Sequence, residues 1–285
     1  MSQQTNLNVS PYFDDYDPAN DYYRVLFKPG FPVQARELTG LQSMLQNQIE
    51  KFGQHFFKEG SKVIPGNTSY NSQYKCIQLN NEFQGVPVAA YADQLVGSTI
   101  TGQTSGVTAT VDKVLSSADS ENGNLTLYVN YLGSNTSNNS TETFSDSEEL
   151  TSNITISSGL LGNSSISIGS PFASTISNDA AQTGSAFHVE AGVFFVRGQF
   201  VACNSETLIL SQYSSEPNHR VGFNVLEEIV NADLDETLND NSQGFNNYSA
   251  PGADRLKITL QLVKKSLFNT GGITLATGSV SGGAT

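Results

Sequence analysis

The sequence predicts a mainly β protein with one long N-terminal α-helix, in which a β-rich parent domain carries a small inserted β domain. Three observations predict it. One segment alone, Phe31 to Gly60, shows sustained helical periodicity; short alternating apolar runs separated by glycine-containing and polar turns recur over most of the remainder; and the composition changes near Gly85 and again near Gly184. The expected divisions are an extended N-terminal arm over 1–30, the long helix and first strands of the parent domain over 31–84, and the inserted β domain over 85–184. The rest of the parent domain follows over 185–265, with a flexible linker or tail over 266–285.

The arm contains PYFDDYDPANDYYRVLFKPG, punctuated by Pro11, Pro18 and Pro29, and is expected to be extended with one short strand, Tyr23 to Phe27. Its rings Tyr12, Phe13, Tyr16, Tyr22 and Tyr23 are too many to leave in water, so the arm is expected to dock on another surface or to pack on its own parent domain. Asp14, Asp15 and Asp17 match no calcium-loop spacing and read as turn formers and helix caps.

In the helix, Leu38, Leu41, Leu45, Ile49, Phe52 and Phe56 follow one another at steps of three or four. At about 100° per residue they fall on a stripe about 80° wide. That is narrower than the usual core-facing side of a globular helix, and matches a seam buried against a partner helix or a symmetry copy. The alternative is a helix packed on its own domain's sheet. The opposite side is amide-rich, with Gln34, Gln42, Gln46, Asn47, Gln48 and Gln54. Pro32 suits a first turn and Gly60 the left-handed residue that ends a helix. Gly40 and Gly53 each cost about 1 kcal/mol relative to Ala, which at Gly53 a close backbone approach would offset.

Beyond the helix, Lys62 to Ile64 and Tyr74 to Leu79 read as strands, as do two segments within Leu95 to Leu115 and one over Asn124 to Leu132. Gly133 to Asn153 is polar enough to be a long exposed loop. Val193 to Val196 and Gln199 to Ala202 flank Arg197-Gly198, a hairpin signal, and Arg255 to Leu262 is a final alternating strand. Between them Asn231 to Asp254 is a loop of turn residues.

Composition excludes several function classes. With 27 acids against 14 bases the formal charge is −13, which repels nucleic acid and anionic membrane, and no apolar run is long enough for membrane insertion. Cys76 and Cys203 read as small buried hydrophobes. His55, His188 and His219 have no metal-ligand spacing, and the acids of the 231–254 loop depart from the calcium-loop pattern. No catalytic residue, metal or cofactor is expected, and the chain does not read as an enzyme.

The arm and helix phrase PYFDDYDPANDYYRVLFKPGFPVQARELTGLQSMLQNQIEKFGQHFFKEGSKVIPG, with GVFFVRGQFV and DETLNDNSQGFNNYSAPGADRLKITLQL, resembles an uncharacterised family of tailed-bacteriophage virion proteins, tail fibre or baseplate components of marine and cyanobacterial phages. The resemblance implies a structural protein of the phage tail, made in the host cytoplasm and located in the virion. Implied partners are itself, as a homotrimer, and other tail or baseplate proteins. The oligomer interface would be Leu38, Leu41, Leu45, Ile49, Phe52 and Phe56, and the docking arm Tyr12, Phe13, Tyr16, Tyr22 and Tyr23. A second reading is a carbohydrate-binding adhesin whose inserted domain meets a host surface glycan; it has no Trp there and only Tyr91, Tyr128 and Tyr131 as tyrosines. A third, a depolymerase, needs a carboxylate pair that spacing alone does not reveal.

Overall fold

The computed structural model describes residues 4–134, 140–157 and 165–267; the tail expected over 266–285 lies, from residue 268 on, outside the described residues. In chain order the elements are helix α1 (Ala35–Phe56) and strands β1 (Lys62–Ile64), β2 (Thr68–Leu79), β3 (Glu82–Phe83), β4 (Val86–Pro87), β5 (Thr99–Gly102), β6 (Thr108–Leu115), β7 (Leu125–Gly133) and β8 (Glu149–Ser152). There follow β9 (Ile156–Ser157), β10 (Ser165–Ile166), β11 (Pro171–Ser174), β12 (Ala181–Val189), β13 (Gly192–Val196), β14 (Gln199–Cys203), β15 (Glu206–Ser211), β16 (His219–Val230) and β17 (Arg255–Ser266). The protein is mainly β with one long N-terminal helix, and a second β unit is inserted into the first.

The inserted unit comprises Ser69–Phe187 and Thr207–Asn218, and the parent unit everything else. These limits lie outside the composition change at 85 and 184, because β2 and β12 continue into the insert's sheet as neighbours. That sheet has eight strands in the order β11-β8-β5-β6-β7-β2-β12-β15, antiparallel at each pairing from β11 to β2. Both faces of its middle are covered. In β7, Leu125, Leu127 and Val129 enter one core with Ile77, Leu79, Leu95, Ile100 and Phe172, while Tyr128 enters another with Tyr74, Cys76 and Ile209. Period-two alternation assigns neighbours to opposite faces, and two filled faces make the strand read as one apolar run.

In the described part of 133–153, residues 140–153 are not the wholly exposed loop that polarity predicts. Phe144 is buried and packs against Tyr131 in a tilted ring pair with centroids 5.5 Å apart. Glu148 is also buried, its carboxylate accepting from the N–H groups of Ser145 (2.6 Å), Ser105 (2.9 Å) and Thr104 (3.2 Å) and from the Ser105 hydroxyl (3.0 Å). A fully satisfied carboxylate can be buried where an unpaired one cannot, and composition carries no sign of that.

The parent unit contains α1, the sheet β1-β13-β14 and the ribbon β16-β17. Arg197 (φ 50°) and Gly198 (φ 75°) make the two-residue turn between β13 and β14, both left-handed as a type I′ hairpin requires. The ribbon pairs His219 with Ser266 through to Val230 with Arg255 in unbroken register. Phe194, Phe195, Val201, Val225, Leu260 and Leu262 are buried in this unit. The helix is shorter than Phe31 to Gly60. It starts after Gln34, whose N–H donates to Glu37 Oε2 (2.9 Å) as half of a capping box, and stops at Phe56 with Phe57 extended. Gly60 is left-handed (φ 79°) but sits in the following turn, where its N–H donates to the Phe195 carbonyl (2.8 Å). Tyr23 to Phe27 runs without helix, turn or bend and pairs with no strand among the described residues.

Candidate functional site

Which side of α1 faces its own unit decides what the apolar stripe is for. The buried residues of the helix are Gly40, Asn47, Glu50 and Gly53. Gln46 donates to the Gly198 carbonyl (3.0 Å), Ser43 donates to Asp14, and the backbone of Gly53 lies against the ring of Phe195. Small and polar residues thus seat the helix on the β13-β14 hairpin and the arm. The stripe is left outward: Leu38, Leu45, Ile49, Phe52 and Phe56 are 46–64% exposed, and Leu41 is half-buried. Phe52 and Phe56 pack on each other with centroids 5.0 Å apart. The charges of α1 balance, Arg36 and Lys51 against Glu37 and Glu50, although the chain carries −13.

The arm divides into two parts. Its first part is tied to the parent unit. The N–H groups of Gln4 and Thr5 donate to Glu227 (3.1 and 2.7 Å), Tyr12 donates its hydroxyl proton to Asp254, and Asp15 pairs with Arg36 (2.9 Å). Tyr12 and Tyr16 are accordingly half-buried within their own chain, while Phe13, Tyr22 and Tyr23 are exposed. Beyond Tyr23, Leu26, Phe27, Phe31 and Val33 are exposed as well. The ring count pointed to the arm but missed these four, although they are legible as apolar residues in a segment with proline and glycine at its end.

Glu227 also accepts from Arg197 Nη1 at 2.7 Å, in an ion pair whose side chains are each 4% exposed. Burial by itself pushes the Glu227 carboxyl upward, but the hydrogen bonds from the Thr5 hydroxyl, the Arg197 guanidinium and the two backbone N–H groups together hold it below the ordinary carboxylate range. Arg197 Nη2 is buried without a partner.

A half-open cavity of about 800 Å³ lies in the parent unit, lined by Tyr12, Thr39, Gln42, Gln46, Gln199 and Asp254 among others. Asp254 is the one carboxylate among its lining residues, and Tyr12 engages it. Among the described residues no three of His, Cys, Asp and Glu converge as metal ligands, and no helix is long and apolar enough to cross a membrane. Burial pushes the Cys76 thiol up to about 12, which leaves it un-ionised at neutral pH.

A family profile described as a domain of unknown function, DUF4815, matches residues 10–84 and 147–277, more than half of the chain. The chain belongs to the DUF4815 family. The DUF4815 match takes in the arm from Ser10 onward, all of α1 and the ribbon, and leaves out 85–146, which carries β4, β5, β6 and β7. No curated protein and no solved structure matches the chain.

Proposed function

We propose that this DUF4815 protein is a structural component of a bacteriophage tail, a tail fibre or baseplate protein, which self-associates through α1 and docks through the exposed part of its arm. The observation that carries the reading is the orientation of the helix: it turns small and amide residues to its own unit and large apolar ones to solvent. Burying a Leu, Ile or Phe side chain is worth about 1.5–3 kcal/mol, so leaving five of them wet forgoes stabilisation that a second copy would recover. Leu38, Leu45 and Phe52 recur at steps of seven, the period of a helix seam, and the balanced charge of α1 lets identical copies approach without repulsion. The resemblance of the arm, helix and ribbon phrases to phage virion proteins supplies the assembly, and a homotrimer is the expected state. The glycan-binding alternative draws little support, since Tyr91 and Tyr128 are buried.

Light scattering on the full chain and on Leu45→Asp tests self-association. A charge placed in the seam should reduce the wild-type multiple to monomer mass while the β-type circular dichroism is unchanged. A monomeric wild type, or a variant of unaltered mass, would sink it. Antibody labelling of purified particles tests the location, and its absence from tails would remove the phage-tail reading alone.

A further inference from the structure

Between Asp21, left-handed at φ 54°, and Gln34, the N-cap of α1, the chain is tethered at both ends yet packs on little. Tyr22, Tyr23, Leu26, Phe27, Phe31 and Val33 are 50–73% exposed. From Tyr22 to Phe27 no backbone N–H or carbonyl bonds to any described residue. The ends are held nearby by the Asp15–Arg36 ion pair and the Asp14–Ser43 hydrogen bond, so this is a bound loop at the start of α1 and not a loose end. A backbone that runs without helix, turn or bend, with open hydrogen-bonding groups and exposed apolar side chains at Tyr22, Tyr23, Leu26 and Phe27, is what a strand offers to another chain's sheet edge.

We propose that Tyr22–Phe27 is a docking strand that pairs with the backbone of a neighbouring copy of this chain, a proposal that rests on the self-association through α1 described above. Three observations favour a second copy as the occupant. The segment runs directly into the exposed stripe beginning at Leu38, so copies joined along α1 bring it beside the neighbouring copy. The one charge within Tyr22–Phe27, Arg24, is positive, while the chain as a whole is −13, so a second copy offers a surplus of acids to pair with it. The area also suffices. A Tyr or Phe ring buries roughly 150–250 Å² when fully covered, and Tyr22, Tyr23, Phe27 and Phe31 are each at least half exposed, so these four offer on the order of 500 Å². With Leu26, Val33 and the α1 stripe, this reaches the roughly 800 Å² per partner of a stable interface. The strand adds directionality, because backbone pairing fixes a register that apolar contact alone does not.

Residue-resolved amide hydrogen exchange on the full-length chain, assembled as wild type and dissociated as Leu45→Asp, tests the proposal. A strand added to one edge bonds through every second residue, so alternate amides of Tyr22–Phe27 should exchange roughly tenfold or more slowly in the assembled protein. Leu26→Pro and Val25→Pro remove N–H groups of opposite parity; one of them should weaken assembly, and neither should lower the unfolding midpoint of the dissociated chain, which loses no bond. Fast exchange throughout Tyr22–Phe27 in an assembly that Leu45→Asp disrupts would overturn the docking strand and leave the α1 reading intact. A lowered midpoint for both proline variants would also overturn it, by showing pairing within the chain. If Leu45→Asp stays assembled with those amides protected, the α1 reading fails and the strand stands; a wild type that is monomeric overturns both.

Discussion

Two glycines of α1 should respond to the same substitution with opposite signs. In a helix, Gly→Ala ordinarily stabilises by about 1 kcal/mol, because Ala has fewer backbone conformations to lose. A Cβ built on Gly40 has Asp14 Oδ1 at 3.9 Å as its nearest neighbour, an ordinary contact, so Gly40→Ala should show that gain. A Cβ on Gly53 comes within 2.8 Å of Phe195 Cζ and closer still to Cε2. The ring cannot easily yield: Phe195 is buried, with Phe200 at 5.3 Å and Phe57 at 5.9 Å between centroids. Overpacking of this kind costs about 1–3 kcal/mol, which exceeds the helix-propensity gain. Gly53→Ala should therefore destabilise by up to about 2 kcal/mol net, while Gly40→Ala stabilises. Urea unfolding followed by circular dichroism reads both midpoints. Equal gains at the two sites would refute the seating of α1 on the β13-β14 hairpin, and with it the outward orientation of the apolar stripe.

The buried Arg197–Glu227 pair leads to a pH-dependent prediction. Glu227→Gln leaves the Arg197 charge without its partner and should cost about 3–5 kcal/mol at neutral pH. Because the folded-state carboxyl is held below its unfolded value, its contribution is complete above the unfolded pKa and disappears as pH falls through the folded one. The difference in unfolding midpoint between wild type and Glu227→Gln should thus be constant near neutrality and shrink in the acid range; a gap that widened on acidification would contradict the assignment. In the inserted unit, Glu148→Ala strands the N–H groups of Thr104, Ser105 and Ser145, and should cost about 3 kcal/mol or more by thermal unfolding. A cost below about 1 kcal/mol would mean that water replaces the carboxylate.

The local devices of this fold are readable from its residues because each is set by neighbours in sequence. The spacing of Leu38 to Phe56 identifies α1, Arg197-Gly198 identifies its hairpin, and the alternation from Arg255 to Leu262 identifies β17. Boundaries are less readable: capping by Glu37 and the extended backbone at Phe57 shorten the helix that Pro32 and Gly60 suggest. The same sequence determines that α1 has one apolar and one amide-rich side, and that the arm has more rings than water tolerates. Only the tertiary structure decides which side of α1 turns inward. That choice depends on how closely Gly53 approaches Phe195 and on the Gly198 carbonyl that receives Gln46, contacts between residues more than a hundred positions apart. The tertiary structure likewise divides the arm, holding Tyr12 on Asp254 while leaving Tyr22 and Tyr23 outside, and it brings Arg197 to Glu227. A buried charge or a buried glycine face is stable only when its partner arrives from elsewhere in the chain, and a pattern of neighbouring residues carries no record of that partner.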